Sequence, residues 1–151
     1  MEEIFSAILE LSEIFGDRVQ FVYPVHRNPN VYQTAHRMMD GQPSIHLLEP
    51  LEYLPLVHLL KRSWMVLTDS GGIQEEAVSL EKPTLVMREK TERPEGLDSG
   101  ILQLVGTDKN TIVREAKAIL DGSNYKNRQG YCNPFGDGQA SRRIVDAILG
   151  R

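Results

Sequence analysis

The stretch that decides the fold is Trp64-Met65-Val66-Leu67-Thr68-Asp69-Ser70-Gly71-Gly72-Ile73-Gln74-Glu75-Glu76. Its first four residues are apolar and predict a buried strand, and a tight glycine turn then leads into the first turn of a helix. The first N–H groups of a helix have no partner inside it, and the helix dipole favours an anion beside them. The stretch therefore indicates a phosphate-binding turn, with a capped helix that binds no ligand as an equal alternative for so short a motif.

Individual residues of this motif suit different parts of a phosphorylated ligand. Gly71 and Gly72 have no Cβ and let a ligand approach the backbone, while Ser70 either caps the helix or donates its hydroxyl to a phosphate oxygen. Glu75 and Glu76 follow within the next turn, where a carboxylate accepts hydrogen bonds from hydroxyls such as those of a ribose. The motif is neither Gly-x-x-x-x-Gly-Lys-Ser/Thr nor Gly-x-Gly-x-x-Gly, so it indicates neither nucleoside triphosphate hydrolysis nor NAD binding.

The bulk composition describes one ordinary globular domain. The chain has 151 residues, 40% hydrophobic and 25% charged, and its net charge of -4 gives no reason to expect a nucleic acid partner. No apolar run approaches the roughly 20 residues that span a bilayer, and the acidic N-terminus is not a secretory signal. The single cysteine, Cys132, excludes an intrachain disulfide, fits a reducing cytosol and is expected to be a passive thiol. His36, His46 and His58 have no clustered partners, so no metal site is expected.

Apolar runs alternate with segments of helical spacing along the whole chain. The runs are continuous rather than alternating, which is typical of strands buried on both faces of a parallel sheet. We therefore expect an α/β doubly wound domain, a parallel sheet with helices on both faces. The predicted strands are residues 19–23, 44–47, 64–67, 83–87 and 101–105, and the predicted helices are residues 2–15, 31–39, 51–60, 71–80, 109–120 and 139–149.

Polar loops follow three of the predicted strands. They are residues 26–30, residues 69–72 and residues 88–95, the last within a charged loop predicted over residues 88–100. Ligands of doubly wound sheets bind outside the carboxyl ends of the strands, so these loops are expected to converge on one site. Arg93 in the third loop can grip a phosphate bidentately, and the alternative is that this charged run is a solvated loop.

Five motifs occur in a fixed order along the chain and resemble one family. They are Pro24-Val25-His26-x-Asn28-Pro29-Asn30-Val31, Glu49-Pro50-Leu51-x-Tyr53-Leu54-Pro55, residues 68–76, Thr91-Glu92-Arg93-Pro94-Glu95 and Asn133-Pro134-x-Gly136-Asp137-Gly138. Together they closely resemble the C-terminal half of the non-hydrolysing UDP-N-acetylglucosamine 2-epimerases. The resemblance implies the Rossmann-like C-terminal half of a glycosyltransferase-B-type two-domain fold, lacking its first strand, with residues 1–151 as one nucleotide-sugar-binding domain.

The resemblance also implies a reaction and a set of contacts. The family interconverts UDP-GlcNAc and UDP-ManNAc by eliminating UDP and adding it back, without hydrolysis or an added redox cofactor, so no cofactor is expected. By resemblance, the residues that bind UDP are Ser70, Gly71 and Gly72 at the pyrophosphate, Arg93 at the phosphate side, Glu76 at the ribose and the backbone near Leu56 at the uracil. His26 resembles a residue of a second, regulatory UDP-GlcNAc site, and a surface histidine with a local hydrogen bond is the alternative.

By the resemblance, the catalytic groups are expected outside this chain. The family's catalytic carboxylates and its His-Arg-Arg-Glu-Asn histidine lie upstream of the position of Met1, so no epimerase activity is expected from the chain alone. The absent first strand is expected to leave a central slot in the sheet, filled by another chain or by rearranged pairing. The expected partners are UDP-GlcNAc or UDP, the missing N-terminal domain or a second chain, and further copies in a homo-oligomer. Neither nucleic acid nor membrane is expected, and the implied setting is polysaccharide biosynthesis in the cytoplasm.

Two other functions stay open at this point. One is a non-catalytic module that binds a UDP-sugar without turnover, and the other is the nucleotide-sugar domain of a glycosyltransferase. The motifs at residues 26–30 and 91–95 favour an epimerase over a transferase. A neighbouring reading frame that encodes the other half would favour an enzyme part over a binding module.

Overall fold

The structure, a computed structural model, describes residues 1–122 and 133–151, so the expectation for Cys132 lies outside the described residues. No predicted strand or helix end is displaced by more than two residues. The helices are α1 (Glu2–Phe15), α2 (Pro29–Met39), α3 (Tyr53–Arg62), α4 (Gly71–Ser79), α5 (Pro94–Asp98), α6 (Lys109–Leu120) and α7 (Ala140–Leu149). The strands are β1 (Phe21–Pro24), β2 (Ile45–Leu48), β3 (Val66–Thr68), β4 (Thr84–Val86) and β5 (Leu102–Leu104).

The strands form two parallel sheets. β1 pairs with β2 in the register Phe21↔Ile45, and β3, β4 and β5 pair in that order through Val66↔Thr84 and Thr84↔Leu102. Neighbouring parallel strands need a crossover connection, and α2, α4 and α5 lie in those connections here. The predicted α/β fold with parallel strands is therefore confirmed.

Backbone pairing stops between β1 and β3. Over residues 1–122 and 133–151, no backbone hydrogen bond joins the two sheets, so the expected slot is present as a break in pairing. Burial, and then the nearby charge of Asp69 at the end of β3, raise the pKa of Tyr23 in β1. The ends of β1 and β3 therefore lie close together without forming a ladder, and what fills the break stays a prediction.

One apolar core holds both sheets together. Phe5 and Leu11 of α1 and Ile112 of α6 are buried in the same cluster as Ile45 of β2 and Leu85 of β4. The helical spacing of the apolar residues in α1 directs them to one face, which packs along α6. Burial of apolar surface contributes about 25 cal/mol per Å². Side-chain packing, rather than strand pairing, therefore ties the two sheets to each other.

The segment after β4 differs from the prediction. Residues 88–100 are predicted as a loop. Pro94–Asp98 instead form the helix α5, so the prediction is wrong for these residues. Pro94 takes the first helical position, where its fixed φ fits and its missing N–H removes no helical bond. Gly96 lies against β5, since a Cβ there would come 2.5 Å from Cδ1 of Leu102. The glycine lets α5 pack closely on β5 and so fixes the end of the segment that carries Arg93.

α7 is amphipathic but buries nothing. None of its residues is buried, and its exposed apolar side chains are Ile144, Val145, Ile148 and Leu149. These positions fall on one stripe of the helix, so α7 presents an uncovered apolar surface. Within the described part of the chain, every helix is too short or too polar to cross a bilayer.

Candidate nucleotide-binding site

The N-terminus of α4 is open to a ligand. Ser70 is its N-cap residue, but the Ser70 hydroxyl makes no capping hydrogen bond. The first helical bond runs from the Gln74 N–H to the Ser70 carbonyl at 3.2 Å. Among the described residues, the N–H groups of Gly71, Gly72 and Ile73 therefore have no acceptor. Capping by Ser70 is thus not observed, and the free N–H groups are chemically suited to an anion.

The glycines begin the helix rather than forming a turn before it. Neither has a positive φ, both lie in the first turn of α4 and Ser70 before them is extended, so a separate tight glycine turn ahead of the helix is not observed. A Cβ on Gly71 would meet nothing closer than 3.9 Å, and one on Gly72 nothing closer than 4.0 Å. Neither backbone conformation nor packing requires glycine at these positions. What the missing side chains do is leave the helix N-terminus uncovered.

Arg93 lies beside this helix N-terminus. Its Cζ is 4.0 Å from the position that a Cβ on Gly71 would take. Its Nε donates to Oε1 of Glu75, and this hydrogen bond raises the pKa of Arg93, followed by the charge of Glu75 and the weaker charges of Glu92 and Glu95. The guanidinium therefore lies next to free backbone N–H groups, with the carboxylate of Glu92 3.9 Å from the same Gly71 position. A cation and a helix N-terminus side by side are the groups that bind phosphate in proteins.

A buried hydrogen-bond chain connects α4 to the segment that carries Arg93. Gln74 is fully buried, and its Oε1 accepts from Oγ1 of Thr91 at 2.5 Å. The same hydroxyl oxygen accepts from the Arg93 N–H at 3.0 Å. Nε2 of Gln74 has no hydrogen-bond partner among the described residues. An unpaired buried amide lowers the stability of the folded state by about 1–3 kcal/mol, so an apolar side chain would fill this part of the interior at lower free energy.

A second polar contact joins α3 to α4. The Tyr53 hydroxyl donates to Oε1 of Glu76 at 3.1 Å, although Tyr53 is 62% exposed. This hydrogen bond, followed by the charge of Glu76, raises the pKa of Tyr53 above its ordinary value. Leu56 lies three residues after Tyr53 on α3 and packs against the apolar cluster that contains Ala77 of α4. The residues predicted for the ribose and the uracil therefore lie on adjoining helices.

His26 stands apart from these residues. It is exposed in the loop after β1, and its Nδ1 accepts a hydrogen bond from the Asn28 N–H at 3.1 Å. In the part of the chain that the structure describes, no hydrogen bond or ion pair joins His26 to α4 or to residues 91–93. Of the three loops expected to converge, those at residues 69–72 and 88–95 are thus in contact. The regulatory role of His26 stays a prediction.

Three residues that shape this site have no role assigned by the sequence. Gln74, Thr91 and Tyr53 all lie inside the motifs that carry the family resemblance, which is the one signal that could have pointed to them. Thr91 bonds to a residue 17 positions away, and Tyr53 to one 23 positions away. Contacts between side chains so far apart leave no periodic pattern in a sequence, and only the packed structure shows them.

A cavity elsewhere on the described residues is separate from this site. A cavity of about 280 Å³ on α1 and α6 is lined by Glu10, Asn110, Val113, Arg114 and Lys117, none of which is a predicted site residue. Across residues 1–122 and 133–151, no group of three or more histidine, cysteine or acidic side chains is arranged to hold a metal ion. The helices α3 and α7 also begin without a side-chain cap, so the feature that sets the N-terminus of α4 apart is the guanidinium of Arg93 beside it.

Comparison with known proteins covers nearly the whole chain. The family model described as UDP-N-acetylglucosamine 2-epimerase matches residues 1–149. The chain belongs to the UDP-N-acetylglucosamine 2-epimerase family. A UDP-N-acetylglucosamine 2-epimerase of Escherichia coli strain K12 is 49% identical over 148 residues, which are 97% of this chain and 39% of that relative. The chain therefore spans well under half the length of the relative it matches.

Solved structures show the same fold. A UDP-GlcNAc 2-epimerase from Neisseria meningitidis, bound to UDP-GlcNAc, matches with a TM-score of 0.85 and 40% identity over 100% of this chain and 41% of that chain. An E. coli heptosyltransferase with ADP matches with a TM-score of 0.58 and 16% identity over 79% of this chain and 39% of that chain. The second likeness shows the fold alone, that of a glycosyltransferase-B-type half.

Proposed function

We propose that residues 1–151 form one nucleotide-sugar-binding domain that supplies the UDP-binding half of a UDP-N-acetylglucosamine 2-epimerase. The observation that carries this proposal is the open N-terminus of α4 with Arg93 beside it. Three backbone N–H groups without acceptors and a charged guanidinium next to Gly71 match the oxygens of a pyrophosphate. The Ser70 hydroxyl, which makes no capping bond, is available as a further donor.

The same groups explain how this half would assist the reaction. Breaking the bond between the sugar and UDP leaves negative charge on the departing pyrophosphate. The free N–H groups of Gly71, Gly72 and Ile73 and the guanidinium of Arg93 stabilise that charge as it develops, because donors fixed in advance need no reorganisation. They also hold the released UDP for its return to the sugar after inversion at C2.

The nucleoside end of the ligand fits the contact between α3 and α4. Glu76 offers carboxylate oxygens to the ribose hydroxyls, and the hydroxyl of Tyr53 holds one of those oxygens in place. The backbone at Leu56, on the adjoining helix, is then within the same region for the uracil. In this assignment the uracil lies near Leu56 of α3, and the pyrophosphate lies at the N-terminus of α4.

We propose that the acid and base chemistry comes from the rest of the two-domain enzyme. The chain matches 39% of the E. coli relative, and the resemblance implies that the family's catalytic carboxylates and histidine lie in the part that this chain does not match. The partner is the N-terminal domain, or a second chain that carries it, and the assembly is a homo-oligomer. The substrate class and the expected reducing surroundings of Cys132 agree with action in the cytoplasm, in the supply of sugars for polysaccharides.

Calorimetric titration of UDP into the chain tests this proposal. We expect the unaltered chain to bind UDP and a Ser70→Ala, Glu76→Ala double variant to bind about 100-fold more weakly, through loss of hydrogen bonds to phosphate and ribose. A Glu13→Ala, Ser141→Ala double variant makes the same changes at exposed positions on α1 and α7 and serves as the matched control. Equal binding by both double variants would contradict the assignment, and transfer of GlcNAc to an acceptor by the complete enzyme would favour a glycosyltransferase.

A further inference from the structure

Gln74 is a buried polar residue that nothing in the apolar interior requires. It is fully buried on α4, between Val78 on the same helix face and the segment that follows β4. Its Nε2 has no hydrogen-bond partner among the described residues. An apolar side chain of the same size would avoid that unfavourable state, so the packing of α4 does not explain a glutamine here.

The hydrogen bond that the oxygen of the same amide accepts explains why a glutamine lies at this position. Oε1 of Gln74 accepts from Oγ1 of Thr91 at 2.5 Å, and Thr91 in turn accepts from the backbone N–H of Arg93 at 3.0 Å. Gln74 lies three residues after Gly71 on α4, one helical turn from the free N–H groups. The backbone of Arg93 is therefore fixed relative to the same helix whose N-terminus carries the free N–H groups.

We propose that Gln74 is a positioning residue that sets Arg93 over the pyrophosphate position through Thr91. This inference rests on the proposed UDP site. Two further hydrogen bonds hold Arg93, from its Nε to Glu75 and from its Nη1 to the Glu92 carbonyl at 3.1 Å, but both hold only the end of a long side chain. The bond through Thr91 holds the backbone from which the side chain starts. Arginine binds phosphate with two parallel hydrogen bonds, and that geometry is lost when the backbone shifts.

The inference and a purely structural role predict opposite results for Gln74→Met. Methionine has nearly the same size and flexibility and removes both the acceptor for Thr91 and the unpaired Nε2. If Gln74 positions Arg93, the thermal midpoint stays level or rises, while UDP affinity falls about 10-fold. If Gln74 only packs the interior, methionine fills the same space, so UDP affinity and the ratio of UDP to uridine affinity are unchanged.

The experiment compares UDP and uridine binding to the full chain and its variants by titration calorimetry and NMR. We expect Gln74→Met and Thr91→Val each to weaken UDP binding about 10-fold, to leave uridine binding unaltered and to speed amide exchange at Arg93. Thr91→Ser keeps the hydroxyl and restores the affinity that Thr91→Val loses. Gln103→Met, at an exposed glutamine of β5 bonded to Glu115, is the matched control.

Each outcome decides one claim. Absence of UDP binding by the unaltered chain overturns the proposed nucleotide site, and this inference with it. UDP binding by the unaltered chain, with equal affinity in Gln74→Met, overturns only the positioning role. A lower thermal midpoint in Gln74→Met, with UDP and uridine affinity reduced by the same factor, also overturns it. Selective loss of UDP affinity at an unchanged or higher thermal midpoint supports it.

Discussion

At the residue scale, two adjacent glutamates on α4 have separate partners. Glu75 forms an ion pair with Arg93, and Glu76 accepts from Tyr53. Successive residues of a helix point about 100° apart, so neighbours in the sequence reach different neighbours in space. Glu75 therefore belongs to the phosphate side of the proposed site, and Glu76 to the ribose side.

Replacing Arg93 by lysine tests the phosphate side. We expect Arg93→Lys to weaken UDP binding about 10-fold, because an ammonium cannot form the two parallel bonds of a guanidinium. Uridine affinity should not change, since it lacks the phosphates. Titration calorimetry measures both, with Arg142→Lys on the exposed face of α7 as the control. A lysine variant with unchanged UDP affinity would show that Arg93 acts only as a general positive charge.

The raised pKa of Tyr53 gives a pH prediction. Its hydrogen bond to Glu76 keeps the phenol protonated past its ordinary pKa of about 10. A raised folded-state pKa means that the contact is fully present below about pH 10 and is lost as the pH rises through the higher value. Ultraviolet titration should show a late phenol phase that Tyr53→Phe removes and Glu76→Gln moves to lower pH. Burial also raises the pKa of Tyr23, so only the part of the late phase that both variants change belongs to Tyr53.

At the scale of elements, two helices that follow strands begin differently. Asp108 caps α6, and its carboxylate accepts from the Thr111 N–H at 2.8 Å. Ser70 occupies the same position on α4 and makes no such bond. The carboxylate of Asp108 therefore satisfies one N–H group at the N-terminus of α6, whereas no described side chain caps α4.

Stability measurements should separate these two caps. Asp108→Ala should lower the thermal midpoint by a few degrees, whereas Ser70→Ala should leave it unchanged because no capping bond is lost. The bond to Thr111 lowers the pKa of Asp108, so its contribution is present above the unfolded pKa of about 3.9 and is lost as the pH falls through the lower folded value. Thermal unfolding from pH 2 to pH 7 checks both statements. A midpoint that falls with Ser70→Ala as much as with Asp108→Ala would mean that Ser70 caps α4 after all.

At the scale of the whole molecule, two surfaces have no partner among residues 1–122 and 133–151. β1 and β3 share a core but no backbone hydrogen bonds. The apolar stripe of α7, formed by Ile144, Val145, Ile148 and Leu149, is exposed. Unpaired strand edges and contiguous apolar patches both favour association, so these surfaces are where we expect other chain segments to bind.

Sedimentation velocity tests the association. We expect the chain to form concentration-dependent oligomers, and Ile148→Lys in the stripe to reduce them, because Ile148 is 77% exposed and packs on nothing in the described structure. Ile14→Lys, at a less exposed position on α1, is the control. A monomer at all concentrations would contradict the expected homo-oligomer and leave the break between the sheets to be filled within one chain.

The chain by itself should not turn over UDP-GlcNAc. We expect no conversion to UDP-ManNAc by the purified 151-residue protein, because the acid and base groups are proposed to come from the rest of the two-domain enzyme. Proton NMR in deuterium oxide checks this directly, since epimerisation exchanges that proton. Sustained exchange at C2 by the chain alone would mean that the catalytic groups lie within it.

The sequence alone determined the order of the elements, the parallel α/β class and the position of the glycine motif at the start of α4. These follow from local periodicity and from helix signals within a few residues. It did not reveal α5, whose position depends on Gly96 packing against β5, nor the contact between Gln74 and Thr91. It also left open whether Ser70 caps its helix or leaves it free. Only the tertiary structure decided these points, because a side chain's partner across 17 or 23 residues is set by packing in space and not by spacing along the chain.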